Sequence, residues 1–209
     1  MTSSGAWKIS QRAEAFVVRG PMNNFSQSPD KGDKSALGIG GTFKVECYDA
    51  KGQLKWSDSA KNAVTDDGLD STLNLYFRNG TTLAGWALGL ITGPGPTLAA
   101  ADTHAVHAGW TEFTTYSETE RNQWSPNATT TQQLVNPSLL DYNITGSATV
   151  SGVFIAGGTI GGGGTDADTK GSVNGTPVLW AHALFSGGDQ AVTSGDILRV
   201  TYTVSAASA

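Results

Sequence analysis

The sequence predicts an all-β protein: a β-sandwich, jelly-roll-like, with one short helix and an extended N-terminal arm. Glycine supplies 27 of the 209 residues and charged residues only 15%. This composition suits short strands joined by tight turns and disfavours long helices. Apolar and polar residues alternate in many short segments bounded by Gly, Pro, Asn and Asp. These segments recur roughly every 8–12 residues, which is the spacing typical of sandwich strands.

Residues 1–40 have the composition of an extended arm, and residues 41–209 that of the sandwich domain. Pro21, Pro29 and several Gly, Asn and Asp residues precede residue 41 with little apolar periodicity. Residues 13–18 are a candidate short strand. The arm also holds large apolar side chains, which a purely disordered tail does not need. We therefore predict that the arm orders on a partner, which it binds through Trp7, Ile9, Phe16, Val17, Val18 and Phe25.

The domain begins with a predicted hairpin. From Phe43 to Cys47 apolar residues alternate with polar ones, which is the period-two pattern of a half-buried strand. Residues 49–52 form the turn, and the return strand contains Trp56. Residues 62–64 are a candidate extension of this hairpin.

One short helix follows the hairpin. Asp66 is its expected N-cap, and Asn79-Gly80 marks its expected end. The apolar residues spaced at i, i+4, i+7 and i+8 are Leu69, Leu73, Tyr76 and Phe77.

The rest of the chain predicts further strands. Residues 86–91 are an almost unbroken apolar run, which predicts a strand buried on both faces. Residues 157–175 form a Gly/Thr/Asp-rich segment that is long for a hairpin loop, so we expect it to be mobile or bound to a partner. The other candidate strands are residues 110–116, 121–124, 139–144, 148–155, 178–185 and 197–204.

Charge and cysteine content argue against several classes of protein. The net charge is −5 and the pI about 5.0, with scattered basic residues, so nucleic acid is not the expected partner. Cys47 is the single cysteine, which excludes an intrachain disulfide and a cysteine-based zinc site. No apolar run reaches membrane-spanning length. The N-terminus lacks a secretory signal pattern, so we expect synthesis in a cytoplasm and no membrane partner.

Asp102, His104 and His107 are candidate metal ligands, with Glu112 or Glu118 as a possible fourth. The alternative is a polar turn whose histidines hydrogen-bond the backbone. We favour this alternative because the segment has no strong helical pattern, and we expect no metal or other cofactor.

The remaining candidates for chemistry are weak. Gly161 to Gly164 lack the Lys-Ser/Thr pair of a phosphate cradle, so we expect a hinge-like loop. His182 lies in an apolar strand and is expected to be a satisfied sheet histidine rather than a base. Carboxylates that could pair as glycosidase acid and base, or equally face water, are Glu112, Glu118, Glu120 and Asp141. The tryptophans expected in the core rather than on a sugar-binding surface are Trp56, Trp86, Trp110, Trp124 and Trp180. No catalytic residue is predicted, and the chain is expected not to be an enzyme.

From Phe43 onward, over roughly four-fifths of the chain, the order of features resembles small virion structural proteins of tailed bacteriophages. The stretches that carry the resemblance are Phe43-Lys-Val-Glu, Gly52-Gln-Leu-Lys-Trp56, Gly68-Leu69, Trp86-Ala-Leu-Gly-Leu-Ile, Asp102-Thr-His, His107-Ala-Gly-Trp-Thr-Glu-Phe, Tyr116, Arg121, Trp124, Ile155, Leu179-Trp-Ala, Phe185-Ser-Gly-Gly-Asp and Ser194-Gly-Asp-Ile-Leu-Arg-Val-Thr-Tyr-Thr. The resemblance is to capsid decoration (cement) proteins or tail-associated structural proteins. It implies a β-sandwich bound to a capsid lattice and supplies no catalytic residue. Residues 1–40 fall outside it.

The expected function is therefore that of a non-enzymatic virion protein that binds and stabilises the phage capsid lattice as a decoration protein. The expected partners are the major capsid protein and other copies of the chain, as a dimer or trimer on the capsid exterior after assembly in the host cytoplasm. The alternative is a tail or head fibre component that attaches to a host surface.

Overall fold

The structure, a computed structural model, describes residues 37–128 and 131–208. These residues form an all-β sandwich with one short helix, which confirms the predicted fold class. The elements are β1 (Leu37–Tyr48), β2 (Leu54–Lys61), β3 (Ala63–Val64), α1 (Asp66–Phe77), β4 (Gly85–Thr92), β5 (Thr111–Phe113), β6 (Asn122–Gln123), β7 (Gln133–Val135), β8 (Leu140–Asn143), β9 (Ala148–Val150), β10 (Gly152–Gly158), β11 (Val178–Leu184), β12 (Gln190–Val192) and β13 (Ile197–Ser208).

The strands form two main antiparallel sheets. Sheet A has the order β2-β1-β13-β7, and β8 also pairs with β13. Sheet B has the order β3-β11-β10-β4-β5, and β6 also pairs with β4. β9 and β12 form a separate ribbon. β1 and β13 pair along their whole length, from Leu37 opposite Ser208 to Tyr48 opposite Ile197. The jelly-roll topology stays a prediction.

The main core lies between the two sheets, because β1 and β13 turn alternate apolar side chains to the same face of sheet A. Phe43 stacks on Tyr202 with ring centroids 4.1 Å apart, and both residues are fully buried. Alternate residues of β4 and β10 pack against this layer from sheet B. The side chains that meet are Phe43, Val45, Cys47, Leu198, Val200 and Tyr202 from sheet A and Leu88, Leu90, Val153 and Ile155 from sheet B.

Sheet B is also buried on its outer face. Trp110 and Ala167, which belong to the long connections 93–110 and 159–177, pack there against Phe154 and Leu179. These connections therefore cover the sheet. The prediction of a strand buried on both faces at residues 86–91 is confirmed for β4, although Trp86 itself is only partly buried.

Several strand bounds differ from the sequence-based expectation. β1 begins at Leu37, so residues 37–40, which the sequence analysis groups with the arm, pair with β13. The expected extension of the hairpin holds only for Asn62, whose N–H donates to Gly41 O; it is wrong for Ala63 and Val64, which form β3 and pair with β11 in sheet B. Residues 148–155 are divided between β9 and β10. The sequence pattern does not predict the short strands β7 and β12.

The helix begins one residue before its expected start. Thr65, and not Asp66, is the N-cap: its Oγ1 accepts a hydrogen bond from Gly68 N–H at 3.0 Å and donates one to Leu179 O. Gly68 is the buried residue of α1, and a Cβ at this position would collide with the carbonyl of Trp180. The helix thus approaches β11 closely at its first turn.

Three of the four apolar residues that the sequence pattern marks on α1 are exposed. Leu73, Tyr76 and Phe77 are 55%, 76% and 82% exposed. The inner side carries the partly buried Leu75 and small or polar residues such as Thr72, whose Oγ1 accepts a hydrogen bond from Trp180 Nε1 at 3.3 Å. Within the described ranges, no helix is long and apolar enough to cross a membrane.

Candidate functional site

The predicted partner-binding residues of the arm lie outside the described residues. They are Trp7, Ile9, Phe16, Val17, Val18 and Phe25. The described chain starts at Leu37, the first residue of β1. The surface around Leu37 is therefore the part of the sandwich that the arm joins.

An apolar groove, the α1 groove, opens at this end of the sandwich between α1 and the ends of the two sheets. Its volume is about 490 Å³, within the range of about 300–1,000 Å³ typical of binding pockets. Trp86 and Trp180 meet edge to face in its wall, with ring centroids 6.1 Å apart. The residues that line it are Ile39, Ser71, Thr72, Leu75, Tyr76, Thr82, Leu83, Trp86, Trp124, Gln132, Leu134, Ile155, Trp180, Tyr202, Val204 and Ala206.

The exposed side of α1 continues the apolar surface of the groove. Tyr76 belongs to both, and Leu73 and Phe77 lie on the same helix. Single exposed apolar residues are ordinary on a protein surface, whereas several of them beside an apolar groove mark an interaction site. This end of the sandwich is therefore a candidate protein-binding surface.

β1 presents an open edge beside the α1 groove. β2 pairs with β1 only from Thr42 onward, and Asn62 N–H donates a hydrogen bond to Gly41 O. Within the described residues no strand pairs with residues 37–40 on that side. These four residues, Leu-Gly-Ile-Gly, contain neither a charge nor a proline, the features that usually protect an edge strand. The edge can therefore accept an added strand.

The candidate metal ligands serve structural roles. Asp102 accepts a hydrogen bond from Trp110 Nε1 at 3.0 Å. His107 stacks on Trp110 with ring centroids 3.8 Å apart, and its Nδ1 lies 3.0 Å from Trp110 O. Among residues 37–128 and 131–208, no group of three or more His, Cys, Asp or Glu residues is arranged to hold a metal ion. The contacts match the polar-turn alternative.

Arg121 is buried and holds the two long connections together. Its Nε and Nη2 donate hydrogen bonds to the Glu112 carboxylate, each at 2.8 Å. Its Nη1 donates to Ala167 O at 2.7 Å and its Nη2 to Ser172 O at 2.9 Å. Glu112 is therefore half of a buried ion pair.

His104 completes the cluster around Arg121. Its Nε2 lies 2.9 Å from Arg121 Nη1 and its Nδ1 3.0 Å from Asn174 O. Because a guanidinium only donates, Nε2 accepts and the proton lies on Nδ1. Burial, and to a smaller extent the charge of Arg121, lower the pKa of His104 to about 4. The imidazole is thus neutral at pH 7 and uses both nitrogens within the fold.

Three of the four candidate catalytic carboxylates are hydrogen-bonded to another part of the protein. The partners are Arg121 for Glu112, Arg199 for Asp141 and Asn143 for Glu118. The Arg199–Asp141 pair makes two hydrogen bonds of 2.8 Å. These contacts give Glu112, Glu118 and Asp141 structural roles.

The segment at residues 157–175, expected to be mobile or bound to a partner, is anchored to the sandwich. Asp168 is fully buried, and its carboxylate accepts hydrogen bonds from Gly161 N–H at 3.1 Å and Gly162 N–H at 3.2 Å. Lys170 Nζ donates to Tyr116 O at 3.0 Å and lies 4.5 Å from the centroid of the Tyr116 ring. The glycines therefore form a cradle for an internal carboxylate.

The five tryptophans of the described residues pack in the core as expected, and three of them also line the α1 groove. Trp110, Trp124 and Trp180 are buried. Trp56 and Trp86 are partly buried and packed against the main core. The three that line the groove are Trp86, Trp124 and Trp180.

His182 is buried in β11. Its Nε2 lies 3.2 Å from Ala99 O and 3.4 Å from Asp102 Oδ2. Its Nδ1 has no hydrogen-bond partner among the described residues. The side chain is enclosed by the protein as expected, but only one of its two ring nitrogens is hydrogen-bonded among the described residues, so the expectation of a satisfied histidine is met in part.

Sequence reasoning missed the buried roles of Arg121 and Asp168, because charged residues in polar segments are usually exposed. It also missed the α1 groove, whose lining comes from segments far apart in the chain. The sequence signal for this surface is the apolar pattern of α1, which contains more apolar residues than the helix buries against the sandwich.

No protein-family model, no curated protein and no solved structure matches this chain. A functional conclusion therefore depends on the geometry above and on the order of motifs in the sequence.

Proposed function

We propose that the chain is a non-enzymatic virion protein of a tailed bacteriophage, and that it binds the capsid lattice as a decoration protein. The observation that carries the proposal is the exposed apolar surface at the end of the sandwich where the arm joins. It combines the α1 groove, the outer side of α1 and the open edge of β1. Grooves and edges of this kind are used in protein–protein recognition.

The burial and hydrogen bonding of the polar residues that could carry chemistry support a binding role over a catalytic one. Arg121, His104 and Glu112 are tied to one another and to the loops they hold. A group that is buried and fully hydrogen-bonded stabilises a fold and is poorly placed to meet a substrate. The α1 groove, in contrast, is lined mainly by apolar side chains.

The resemblance of the motif order to small virion proteins supports the capsid as the partner. In this proposal copies of the chain, as dimers or trimers, bind the major capsid protein on the outside of the shell. A lattice offers many equivalent sites, so that weak individual contacts give a strong total attachment.

The location of the chain in purified virions tests the proposal. Cryo-electron microscopy maps of wild-type virions and of virions lacking the chain are subtracted from each other. We expect difference density at symmetric positions over the outer surface of the head, and heads without the chain should release DNA more readily on heating. Density confined to the tail or to fibres would support the host-attachment alternative. Absence of the chain from virions would overturn both.

A further inference from the structure

We propose that the α1 groove is the docking site of this chain's own N-terminal segment, residues 1–36, and that residues 16–18 occupy it. The proposal goes beyond the decoration role: with the segment docked, the segment itself and the exposed outer side of α1 would form the surface that meets a shell, in place of an empty groove and edge. The occupant is identified by where the segment joins the sandwich, by the open edge of β1 and by the apolar lining of the groove.

The segment joins the sandwich at the mouth of the groove. Ile39, two residues after the first described residue, lines the α1 groove. Leu37 lines a neighbouring cavity together with Gln132 and Ala206, which also line the groove. An extended chain from Val18 to Leu37 spans up to roughly 60 Å, and Gly20 and Pro21 are suited to a turn. Residues 16–18 therefore reach the groove easily.

The open edge of β1 gives the segment a way to bind. Residues 37–40 can exchange main-chain hydrogen bonds with an added strand. Since the side chain of Ile39 faces the groove, alternate side chains of the added strand would face it as well. Phe16, Val17 and Val18 are aromatic and β-branched residues, which favour the strand conformation. In such a strand Phe16 and Val18 share one face, and that face would enter the groove.

Covalent attachment favours this occupant over a second copy of the chain. A tethered segment is present at an effective concentration in the millimolar range, whereas a second copy is present only at the protein concentration. Docking would also cover an uncharged strand edge that otherwise invites aggregation.

Thiol labelling of the full-length chain tests the proposal. Tyr76→Cys places a thiol at the rim of the groove on an exposed helix position. It is the single reactive thiol, because Cys47 is fully buried and burial raises the pKa of its thiol to about 12. The rate of reaction with a polar maleimide is measured in this variant and in the same variant with Phe16→Ser and Val18→Ser. We expect the unmodified segment to slow labelling about tenfold, equally at every protein concentration.

Leu54→Cys is the matched control. Leu54 is 54% exposed and lies on β2 opposite Tyr48, at the end of the hairpin away from the groove. Its labelling rate should be the same with and without the two serine substitutions. The buried Cys47 should stay unlabelled in every variant, which shows that the fold is intact. Should the double substitution disturb folding, Val18→Ser alone provides the same comparison.

Each other outcome overturns the proposal. Equal labelling of Tyr76→Cys in both backgrounds, at the rate of Leu54→Cys, means that nothing covers the groove. Protection that increases with protein concentration assigns the cover to a second copy. Protection that survives the serine substitutions means that residues 16–18 are not the occupant.

Discussion

Arg121 and His104 show how residues that suggest chemistry in the sequence hold the fold together instead. The guanidinium binds Glu112 on one side and the carbonyls of Ala167 and Ser172 on another. Burying an ion pair costs desolvation free energy, which is offset only when the remaining donors also find acceptors. Here the loop carbonyls and His104 Nε2 supply those acceptors. The cluster thereby fixes both long connections on the outer face of sheet B.

The lowered pKa of His104 predicts a specific loss of stability in acid. The folded protein holds the imidazole neutral with a pKa of about 4, below the ordinary 6.5. As the pH falls from 6.5 to 4 the unfolded chain takes up a proton and the folded chain does not, so the free energy of unfolding decreases by about 3 kcal/mol. Above pH 6.5 this contribution is fully present.

His104→Gln tests that prediction, because an amide can accept from Arg121 and donate to Asn174 without titrating. Urea unfolding is followed across this pH range for both proteins. The free energy of unfolding of the variant should depend less steeply on pH, and the difference between the two curves isolates His104 from the carboxylates. Parallel curves would mean that His104 is already accessible to protons in the folded state.

At the scale of elements, α1 is held by its first turn and leaves its last turns to solvent. Thr65 caps the helix and Gly68 allows it to approach the backbone of Trp180. Asp67 accepts a hydrogen bond from Leu179 N–H at 3.2 Å, and burial raises the pKa of its carboxyl group. The apolar residues at the other end are then free to contact a partner.

Gly68→Ala should destabilise the protein even though alanine is the better helix former by about 1 kcal/mol. The added Cβ would collide with the Trp180 carbonyl, so the helix must move away from β11. Thermal melting of Gly68→Ala is compared with Asp70→Ala, an exposed position of the same helix. We expect a lower melting temperature for the first variant and little change for the second. A melting temperature raised by Gly68→Ala would show that the close approach to β11 is not needed.

The sequence predicted the elements whose pattern depends on local periodicity. The alternation of Phe43, Val45 and Cys47 identified β1, and the apolar run at residues 86–91 identified β4. The helix was found from the spacing of Leu69 and later apolar residues, but spacing alone does not tell which side meets the sandwich. Here Gly68 and the cap at Thr65 decide that, through contacts with a strand more than a hundred residues away.

Long-range pairing is what the sequence could not supply. β3 follows the hairpin directly yet pairs in the other sheet. Residues 37–40 are glycine-rich and resemble the arm, but their partners at the end of β13 make them a strand. The α1 groove depends on both sheets and the helix together, so no single segment marks it.

At the scale of the whole molecule, stability depends on the layer between the sheets, and the surface of α1 contributes little to it. Phe43→Ala removes a ring that is fully buried and should cost about 3–5 kcal/mol. Phe77→Ala removes the same ring from a position that is 82% exposed and should change the free energy of unfolding by about 0.5 kcal/mol or less. Chemical denaturation measures both. Equal losses would mean that the end of α1 is buried in the folded protein.

The proposed function requires that the chain bind shells through the arm and the surface beside it. The measurement that tests this most directly is co-sedimentation with undecorated capsid shells, for the full-length chain and for a chain starting at Leu37. The second chain keeps all of β1, and its circular dichroism and melting temperature serve as the folding control. We expect the full-length chain to saturate the shells at a fixed ratio to the major capsid protein. The chain starting at Leu37 should fold and bind much more weakly. Equal binding by both chains would contradict the role of the arm, and no binding by the full-length chain would contradict the decoration function itself.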